Sequence, residues 1–171
     1  MKKFLLSLAA VLGLGFAANA IGPSIYVGYG GYTQMDATNM HDGVGKVKNA
    51  WGALNAGVDF KVLPKLSVGP SYSFSSTTTK GSDINVYYHA IMVNAKYDYM
   101  SLGMFKMYAH VGVGAEITHI GLRDREKNKG YFAFQVSPIC VSADVANKVA
   151  LFGELGFGAQ GLLNVGVRLG L

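Results

Sequence analysis

The stretch that decides the fold is Asn164-Val165-Gly166-Val167-Arg168-Leu169-Gly170-Leu171, in which apolar residues alternate with polar or very small ones. Successive side chains of a β-strand point to opposite faces, so this alternation predicts one wholly apolar face and one polar face. A strand at the end of the sequence has to pair with another strand, because unpaired backbone groups are unfavourable. We therefore expect this stretch to close a sheet, with its apolar face outermost if the sheet is a membrane barrel.

The start of the sequence has the features of a secretory leader. The basic pair Lys2-Lys3 precedes an apolar stretch at 4–18, and Ala18-Asn19-Ala20 is typical of a cleavage site. The apolar stretch is shorter than the roughly 20 residues that cross a bilayer as a helix, which argues against a membrane anchor. We predict a cleavable signal peptide over 1–20 and one domain over 21–171.

Composition narrows the class of protein. Half of the 171 residues are hydrophobic, yet no apolar run after the leader is long enough for a spanning helix, so strands are the expected way across a membrane. Once Lys2 and Lys3 leave with the leader, basic residues exceed acidic ones by three. This excess is too mild to indicate nucleic-acid binding. The single cysteine, Cys140, rules out an internal disulfide.

Period-two alternation recurs eight times after the leader. The clearest case runs over 54–62, where Leu, Ala, Val, Phe and Val alternate with Asn, Gly, Asp and Lys. The sixth segment changes parity, and a bulge near Ser137-Pro138 would keep its apolar residues on one face. The other predicted strands begin near Ile25, Ser67, Ile91, Met107, Val149 and Leu163.

The lengths of the connections alternate as well. Short turns on one side and long loops on the other are the pattern of outer-membrane barrels with both termini in the periplasm. Long polar segments are predicted at 34–49, 77–83 and 119–130, and short ones near 63–65, 100–104 and 146–148.

The whole chain after the leader resembles a small eight-stranded outer-membrane barrel of the porin-family β-barrel domain type. The C-terminal assembly signal of such barrels is matched by Asn164, Gly166, Leu169 and Leu171, although Leu171 stands where an aromatic residue is usual. The segments 151–158 and 63–70 are similar to the closing hairpin and an early periplasmic turn of these domains. The resemblance implies an all-β fold, an eight-stranded antiparallel up-and-down transmembrane β-barrel in the outer membrane of a Gram-negative bacterium.

Charged residues on the other strand faces would line the lumen. The interior of an eight-stranded barrel is just wide enough for side chains to fill, and buried charges are tolerated only when they are paired. We therefore expect a side-chain plug, with Glu116 and Glu154 meeting Lys96 and Arg168 at its centre. The predicted lumen charges are Asp59, Lys61, Lys96, Asp98, Glu116, Glu154 and Arg168.

Aromatic residues divide between the two faces. Those on the apolar parity should form girdles at the borders of the lipid contact, and those on the polar parity should fill the lumen beside many glycines. The predicted outward set is Tyr29, Phe60, Tyr72, Phe74, Tyr97, Tyr99, Phe132, Phe134 and Phe157. The predicted inward set is Tyr26, Tyr32, Trp51, Tyr108 and Phe152.

Signals for catalysis and metal binding are weak. A lipid-modifying hydrolase needs a histidine beside a nucleophile and a carboxylate, and His119 with Glu116 and Thr118 is the nearest candidate. We predict no enzymatic activity, no cofactor and no metal site, because polar loop residues of this kind are commonly solvated. The loop residues that could still bind a metal ion are Asp36, His41 and Asp42.

The external loops are the expected place for partner contacts, because binding residues concentrate on loops held by a rigid scaffold. A mostly basic run could meet lipopolysaccharide phosphates or a host surface, although an ordinary solvated loop is the favoured interpretation. Its basic residues are Arg123, Arg125, Lys127 and Lys129.

The sequence thus favours a structural or surface-interaction role in adhesion or in the envelope. The alternative is a small-solute pore. A soluble barrel that encloses an apolar ligand and a lipid-modifying enzyme are less favoured. The expected partners are outer-membrane lipids, lipopolysaccharide and the barrel-assembly machinery, whereas any surface ligand stays unidentified.

Overall fold

A computed structural model describes residues 22–38, 50–79, 85–122 and 125–171. Residues 1–20, the predicted leader, lie outside this part of the chain. The described part forms eight strands and one short helix. They are β1 (Ser24–Gly31), α1 (Gln34–Thr38), β2 (Ala53–Leu63), β3 (Leu66–Thr78), β4 (Asn85–Leu102), β5 (Phe105–Leu122), β6 (Arg125–Ala146), β7 (Val149–Gly158) and β8 (Leu163–Gly170).

The eight strands form a closed barrel in which each strand pairs antiparallel with its neighbours in sequence. The terminal stretch closes it, because β8 pairs with β1 from Ser24↔Gly170 to Gly31↔Leu163. Closure leaves no exposed sheet edge along the wall. The predicted all-β, up-and-down, eight-stranded architecture is confirmed. Among the described residues, no helix is long and apolar enough to cross a membrane.

The two ends of the barrel differ. The end that carries the two-residue turns, the start of β1 and the end of β8 is called the turn end. The opposite end, where α1 lies, is called the loop end. The turns at 64–65, 103–104 and 147–148 all belong to the turn end.

One of the predicted long loops, 119–130, is largely strand, and strand also enters the start of another, 77–83. β3 continues to Thr78, and the β5–β6 ladder continues to the pair Leu122↔Arg125. The predicted loop at 119–130 was therefore wrong. Its polar composition hid the hairpin, because a ladder that projects beyond the apolar band has no face that must be hydrophobic.

The predicted bulge in β6 is confirmed. The β5–β6 register passes from Tyr108↔Cys140 to His110↔Ser137, and the β6–β7 register also shifts between Val136 and Ile139. Val136 and Ile139 both end on the outer face although their numbers differ in parity. The extra residue therefore keeps the outer wall apolar.

The distribution of polarity is inverted relative to a soluble barrel. Large aliphatic side chains such as Val27, Ile91 and Val113 are more than half exposed on the outer wall, whereas Asn55 and Gln135 are fully buried inside. A soluble barrel with an apolar ligand cavity requires the opposite arrangement, so this less favoured hypothesis does not fit the structure.

Candidate functional site

The lumen holds the charged and polar side chains, and its turn end contains a buried ion cluster. Lys96 on β4 donates from Nζ to Asp59 Oδ2 on β2 at 2.9 Å. Arg168 on β8 places Nε 3.6 Å from the same oxygen, and Lys96 Nζ lies 3.7 Å from the centroid of the Tyr26 ring. Because the side chains of Lys96 and Asp59 are at most 5% exposed, the pairing offsets the desolvation of two charges.

A second network crosses the middle of the lumen around Glu154 on β7. Its Oε1 accepts from the Tyr108 hydroxyl at 2.7 Å, and its Oε2 lies 2.9 Å from His110 Nδ1. Asn164 donates to Oε2 at 3.4 Å, while His110 Nε2 lies 3.0 Å from Asn94 Oδ1. Both ring nitrogens of His110 thus lie within hydrogen-bond distance of a side-chain oxygen.

Arg168 links the two networks. Its Nη2 donates to the Tyr108 hydroxyl at 3.4 Å, and its guanidinium lies over the rings of Tyr108 and Phe152 at 5.3 and 5.6 Å. The structure therefore brings together four of the predicted lumen charges: Asp59, Lys96, Glu154 and Arg168.

Glu116 does not join this cluster, which corrects the predicted centre. It lies six residues beyond His110 on β5, about 20 Å along the strand toward the loop end. There it accepts from the Thr118 hydroxyl at 3.2 Å. Sequence parity placed Glu116 on the correct face, but the distance along the barrel axis separates it from Glu154.

The two remaining predicted charges, Lys61 and Asp98, lie at the mouth of the turn end. With Lys106 they line a cavity of about 160 Å³ whose inner wall is formed by the ion cluster. Lys106 also pairs with Asp144 at 2.8 Å, and both side chains are about two-fifths exposed. The side chains at this mouth are therefore open to solvent, whereas the Lys96–Asp59 pair behind it is buried.

His110 is the main functional side chain that the sequence analysis missed. The register pairs His110 with Lys96, so the two side chains are neighbours in the lumen. Inward parity was the available signal, but the partner, Glu154, could be identified only with the register of β5, β6 and β7.

Helix α1 closes the loop end. Asp36 fixes its first turn, because Oδ2 accepts from the Thr33 amide at 2.7 Å and from the Thr33 hydroxyl at 3.0 Å. Met35 is fully buried, packed in an apolar cluster with Tyr88, Met92 and Ile120. The segment at 34–38 was predicted as part of a solvated external loop, and this was wrong.

Gln34 fastens the helix to the wall. Its Nε2 donates to the Phe132 carbonyl at 2.6 Å, and its Oε1 accepts from the Phe134 amide at 3.1 Å. The β6–β7 ladder begins only at Gln135↔Gly158. The Gln34 amide therefore satisfies backbone groups of β6 at the height where β7 has ended.

The turn between β7 and β8 also folds into the lumen. Gln160 donates from Nε2 to Ser71 Oγ at 3.1 Å, and its backbone amide donates to Gln135 Oε1 at 2.9 Å. Asn55 donates to the Gln160 carbonyl at 3.0 Å. A Cβ at Gly30 would collide with this same carbonyl, so the turn approaches β1 as closely as a glycine permits.

Two predicted lumen aromatics lie outside. Tyr32 is 54% and Trp51 is 43% exposed, because both lie beyond the strand ends, where parity no longer fixes direction. Trp51 stacks on Tyr29 at 6.0 Å and donates to Ser76 Oγ at 2.9 Å. The predicted inward positions of Tyr26, Tyr108 and Phe152 are confirmed.

The candidate catalytic and metal groups are not assembled. Thr118 and Glu116 are buried in the lumen, whereas His119 lies on the outer face with its ring 5.4 Å from His89. Asp36 serves the helix cap, and His41 and Asp42 lie outside the described residues. Within the described ranges, no group of three His, Cys, Asp or Glu side chains could hold a metal ion.

The basic loop run is only partly visible. Arg123 lies outside the described residues, and so do the side chains of Arg125 and Lys127. Lys129 lies on β6 opposite Thr118. The predicted contacts of this run therefore stay a prediction.

Comparisons with solved structures agree on the fold. The chain is similar to the N-terminal β-barrel domain of Pseudomonas aeruginosa OprF, with a TM-score of 0.59, 9% identity, and coverage of 88% of this chain and 97% of that one. Neisserial surface protein A is similar with a TM-score of 0.58 and 14% identity, and the match covers 88% of this chain and 96% of that one. The Yersinia pestis outer membrane protein Ail in a phospholipid bilayer nanodisc is similar with a TM-score of 0.51 and 11% identity, and the match covers 88% of this chain and 99% of that one. No protein-family model matches the sequence, and no curated protein is detectably similar. The fold is that of eight-stranded outer-membrane barrels.

Proposed function

We propose that this protein is an integral outer-membrane barrel with a side-chain-filled lumen, and that it serves a structural or surface-interaction role through its loop end. The observation that carries the proposal is that side chains fill the lumen at three levels along the barrel axis, inside a barrel whose outer wall is apolar and whose interior is polar. The likeness to outer-membrane barrels, one of them a surface protein by name, supports the location and the role.

The height of the apolar wall supports insertion in a membrane. Tyr97 and Tyr87 are exposed on the outer face of β4 and lie ten residues apart, about 33 Å along the strand. At a tilt of about 40° this spans about 25 Å along the barrel axis, the height of the apolar band in outer-membrane barrels. Between the two tyrosines the outward residues are Ala95, Val93, Ile91 and His89.

Closure of the lumen supports a scaffold rather than a channel. The Lys96–Asp59 pair fills the turn end, the Glu154 network fills the middle, and Met35 with the Gln160 turn fills the loop end. Each of these contacts joins elements that are not paired with each other in the barrel wall. A solute would have to break all three levels to pass.

Biogenesis follows from the same proposal. Residues 1–20 direct export and are removed, and Asn164, Gly166, Leu169 and Leu171 are read by the barrel-assembly machinery. The termini then lie in the periplasm, and the loop end meets the lipopolysaccharide of the external leaflet. Arg123, Arg125 and Lys127 are the proposed surface contacts, while Lys129 is left out because it is in register with the buried Thr118. The protein has no enzymatic activity, metal or cofactor in this proposal.

Single-channel conductance in planar bilayers tests the proposal against the small-solute pore. The protein is taken from outer membranes in detergent, and a heat-dependent shift in gel mobility shows that its barrel is closed. We expect the folded barrel to be electrically silent. Discrete conductance steps that change when Glu116 or Arg168 is neutralised would instead establish a pore.

A further inference from the structure

Two cavities adjoin each other at the turn end of the barrel, and together they are called the vestibule. The inner one, with a volume of about 160 Å³, is the mouth described above. The outer one has about 390 Å³ and extends to the turn between β6 and β7. Ser24, Lys106 and Arg168 line both cavities. The buried Lys96–Asp59 pair lies behind them, so an occupant of the vestibule enters from the solvent at this end.

The charges around the vestibule do not balance. Two ion pairs described above, Lys96–Asp59 and Lys106–Asp144, belong to its lining and cancel. Three positive charges against one negative charge then leave an excess of two among the lining residues. A concave surface with an excess of one sign concentrates ions of the other sign, so the vestibule favours an anion. The charged side chains outside the two pairs are Lys61, Lys148, Arg168 and Asp98.

Two buried polar atoms at the inner wall of the vestibule have no hydrogen-bond partner in the described part of the chain. One is a donor, Arg168 Nε, and the other is an acceptor, Asp59 Oδ1. The two are close together, because Arg168 Nε lies 3.6 Å from the second oxygen of the same carboxylate. Buried polar groups are nearly always paired. A ligand that completes this wall therefore has to offer both an acceptor and a donor.

Hydrogen phosphate has this combination of groups. Its charged oxygens accept hydrogen bonds from guanidinium and ammonium groups, and its P–O–H group is a donor. Sulfate has the same tetrahedral shape and the same charge, but it carries no proton at neutral pH. An ionised carboxylate likewise only accepts. An acceptor such as Asp59 Oδ1 therefore attracts hydrogen phosphate and repels the other two anions.

We propose that the vestibule binds free hydrogen phosphate. The ammonium groups of Lys61 and Lys106 and the Arg168 Nε donate to its charged oxygens, and its P–O–H group donates to Asp59 Oδ1. The excess of two positive charges matches the charge of one dianion. Binding itself goes beyond the proposed function, and only the periplasmic origin of the ligand rests on it, because the turn end faces the periplasm in that proposal.

Isothermal titration calorimetry of the full barrel tests the site. The protein is purified in a neutral detergent without phosphate, and its heat-dependent gel shift shows that the barrel is closed. It is then titrated with sodium phosphate or with sodium sulfate at the same ionic strength. We expect phosphate to bind about tenfold more tightly than sulfate, the effect of one hydrogen bond to a charged group that only phosphate can donate.

Variants at the same end of the barrel separate specific binding from general attraction. Lys61→Met should weaken phosphate binding about tenfold, because one charge-assisted hydrogen bond is lost. Lys65→Met is the matched control, since it removes the same charge from an exposed turn residue that lines neither cavity, and it should leave the affinity nearly unchanged. Asp59→Asn should abolish the preference for phosphate over sulfate. If Asp59→Asn fails to fold, the comparison of the two anions on the wild-type barrel still decides.

Three results would each overturn the site: no heat of phosphate binding, equal affinities for phosphate and sulfate, or equal losses in Lys61→Met and Lys65→Met. The titration is repeated in nanodiscs of phosphatidylglycerol, whose phosphodiester has no P–O–H group, and we expect the same affinity there. Loss of phosphate binding in the nanodiscs would show that a lipid headgroup fills the vestibule, and it would overturn free phosphate as the ligand. Absence of the protein from the outer membrane would overturn the proposed function but would not change binding in detergent.

Discussion

At the scale of single residues, the lumen depends on buried charges that have partners. The Lys96–Asp59 pair has a geometric counterpart at the surface, Lys106–Asp144, with nearly the same separation of 2.9 and 2.8 Å. The first pair is buried and the second is well exposed. A comparison of the two pairs therefore tests how burial changes the contribution of an ion pair to stability.

Lys96→Met should lower the free energy of unfolding by about 3 kcal/mol, because Asp59 is left buried with only the longer Arg168 contact, at 3.6 Å, as a counter-ion. Urea unfolding in detergent micelles measures the change. Lys106→Met, the control, should lower it by less than about 1 kcal/mol, since exposed pairs are screened. Equal losses in the two variants would show that the buried pair does not stabilise the barrel.

Gly30→Ala should destabilise the barrel by about 1–3 kcal/mol, because a methyl group there displaces the Gln160 carbonyl. Gly31→Ala, one residue along, adds a methyl group that meets nothing within 4 Å, and it should be close to neutral. The same urea titration compares the two. A neutral Gly30→Ala would mean that the turn does not sit in the lumen as described.

At the scale of elements, α1 is held in the loop end of the lumen because Gln34 completes backbone hydrogen bonds of β6. The helix has only five residues, too few to be stable alone. Its position depends on the Asp36 cap, on Met35 and on the two Gln34 bonds to β6. Removal of those bonds should therefore be visible on β6 itself.

Gln34→Ala should accelerate hydrogen exchange of the Phe134 amide about tenfold, because this amide loses its acceptor. Nuclear magnetic resonance of the barrel in micelles measures the rate. Ala37→Ser, which changes an exposed residue of the same helix, should leave the rate unchanged. Unaltered exchange in Gln34→Ala would show that α1 is not fastened to β6.

At the scale of the whole molecule, the single tryptophan of the sequence reports how the barrel sits in a bilayer. Trp51 is exposed beside Tyr29 at the loop end. In the proposed position it lies near the headgroups. The outward Val167 lies on β8, four residues from the loop-end start of that strand.

Fluorescence of Trp51 should be quenched more by lipids brominated near the headgroup than by lipids brominated near the chain ends. Aromatic residues of barrels collect at the membrane border. Moving the indole with Trp51→Phe and Val167→Trp places it deeper and should reverse the order. Lack of quenching by either lipid in both proteins would place the wall outside the bilayer.

The fold could be predicted from the sequence, and much of the lumen could not. Alternation at 54–62 and 164–171 is a local property of neighbouring residues, so it identified strands, faces and closure correctly. The hairpin at 119–130 was not predicted because its strands extend beyond the apolar band and have no face that must be hydrophobic. Glu116 was placed on the right face but at the wrong height, since parity carries no information about position along the barrel axis.

The sequence by itself determined an eight-stranded barrel with an apolar outer wall and a charged interior, because side-chain direction in a strand alternates with residue number. Only the tertiary structure decided which charges meet, that His110 pairs with Glu154, and that Met35 enters the lumen. Those contacts join residues 37 to 109 positions apart in sequence, and register, bulges and the path of the loop segments fix them. The physical reason is that a barrel brings every strand to one shared axis, and no local pattern records how far along that axis each side chain lies.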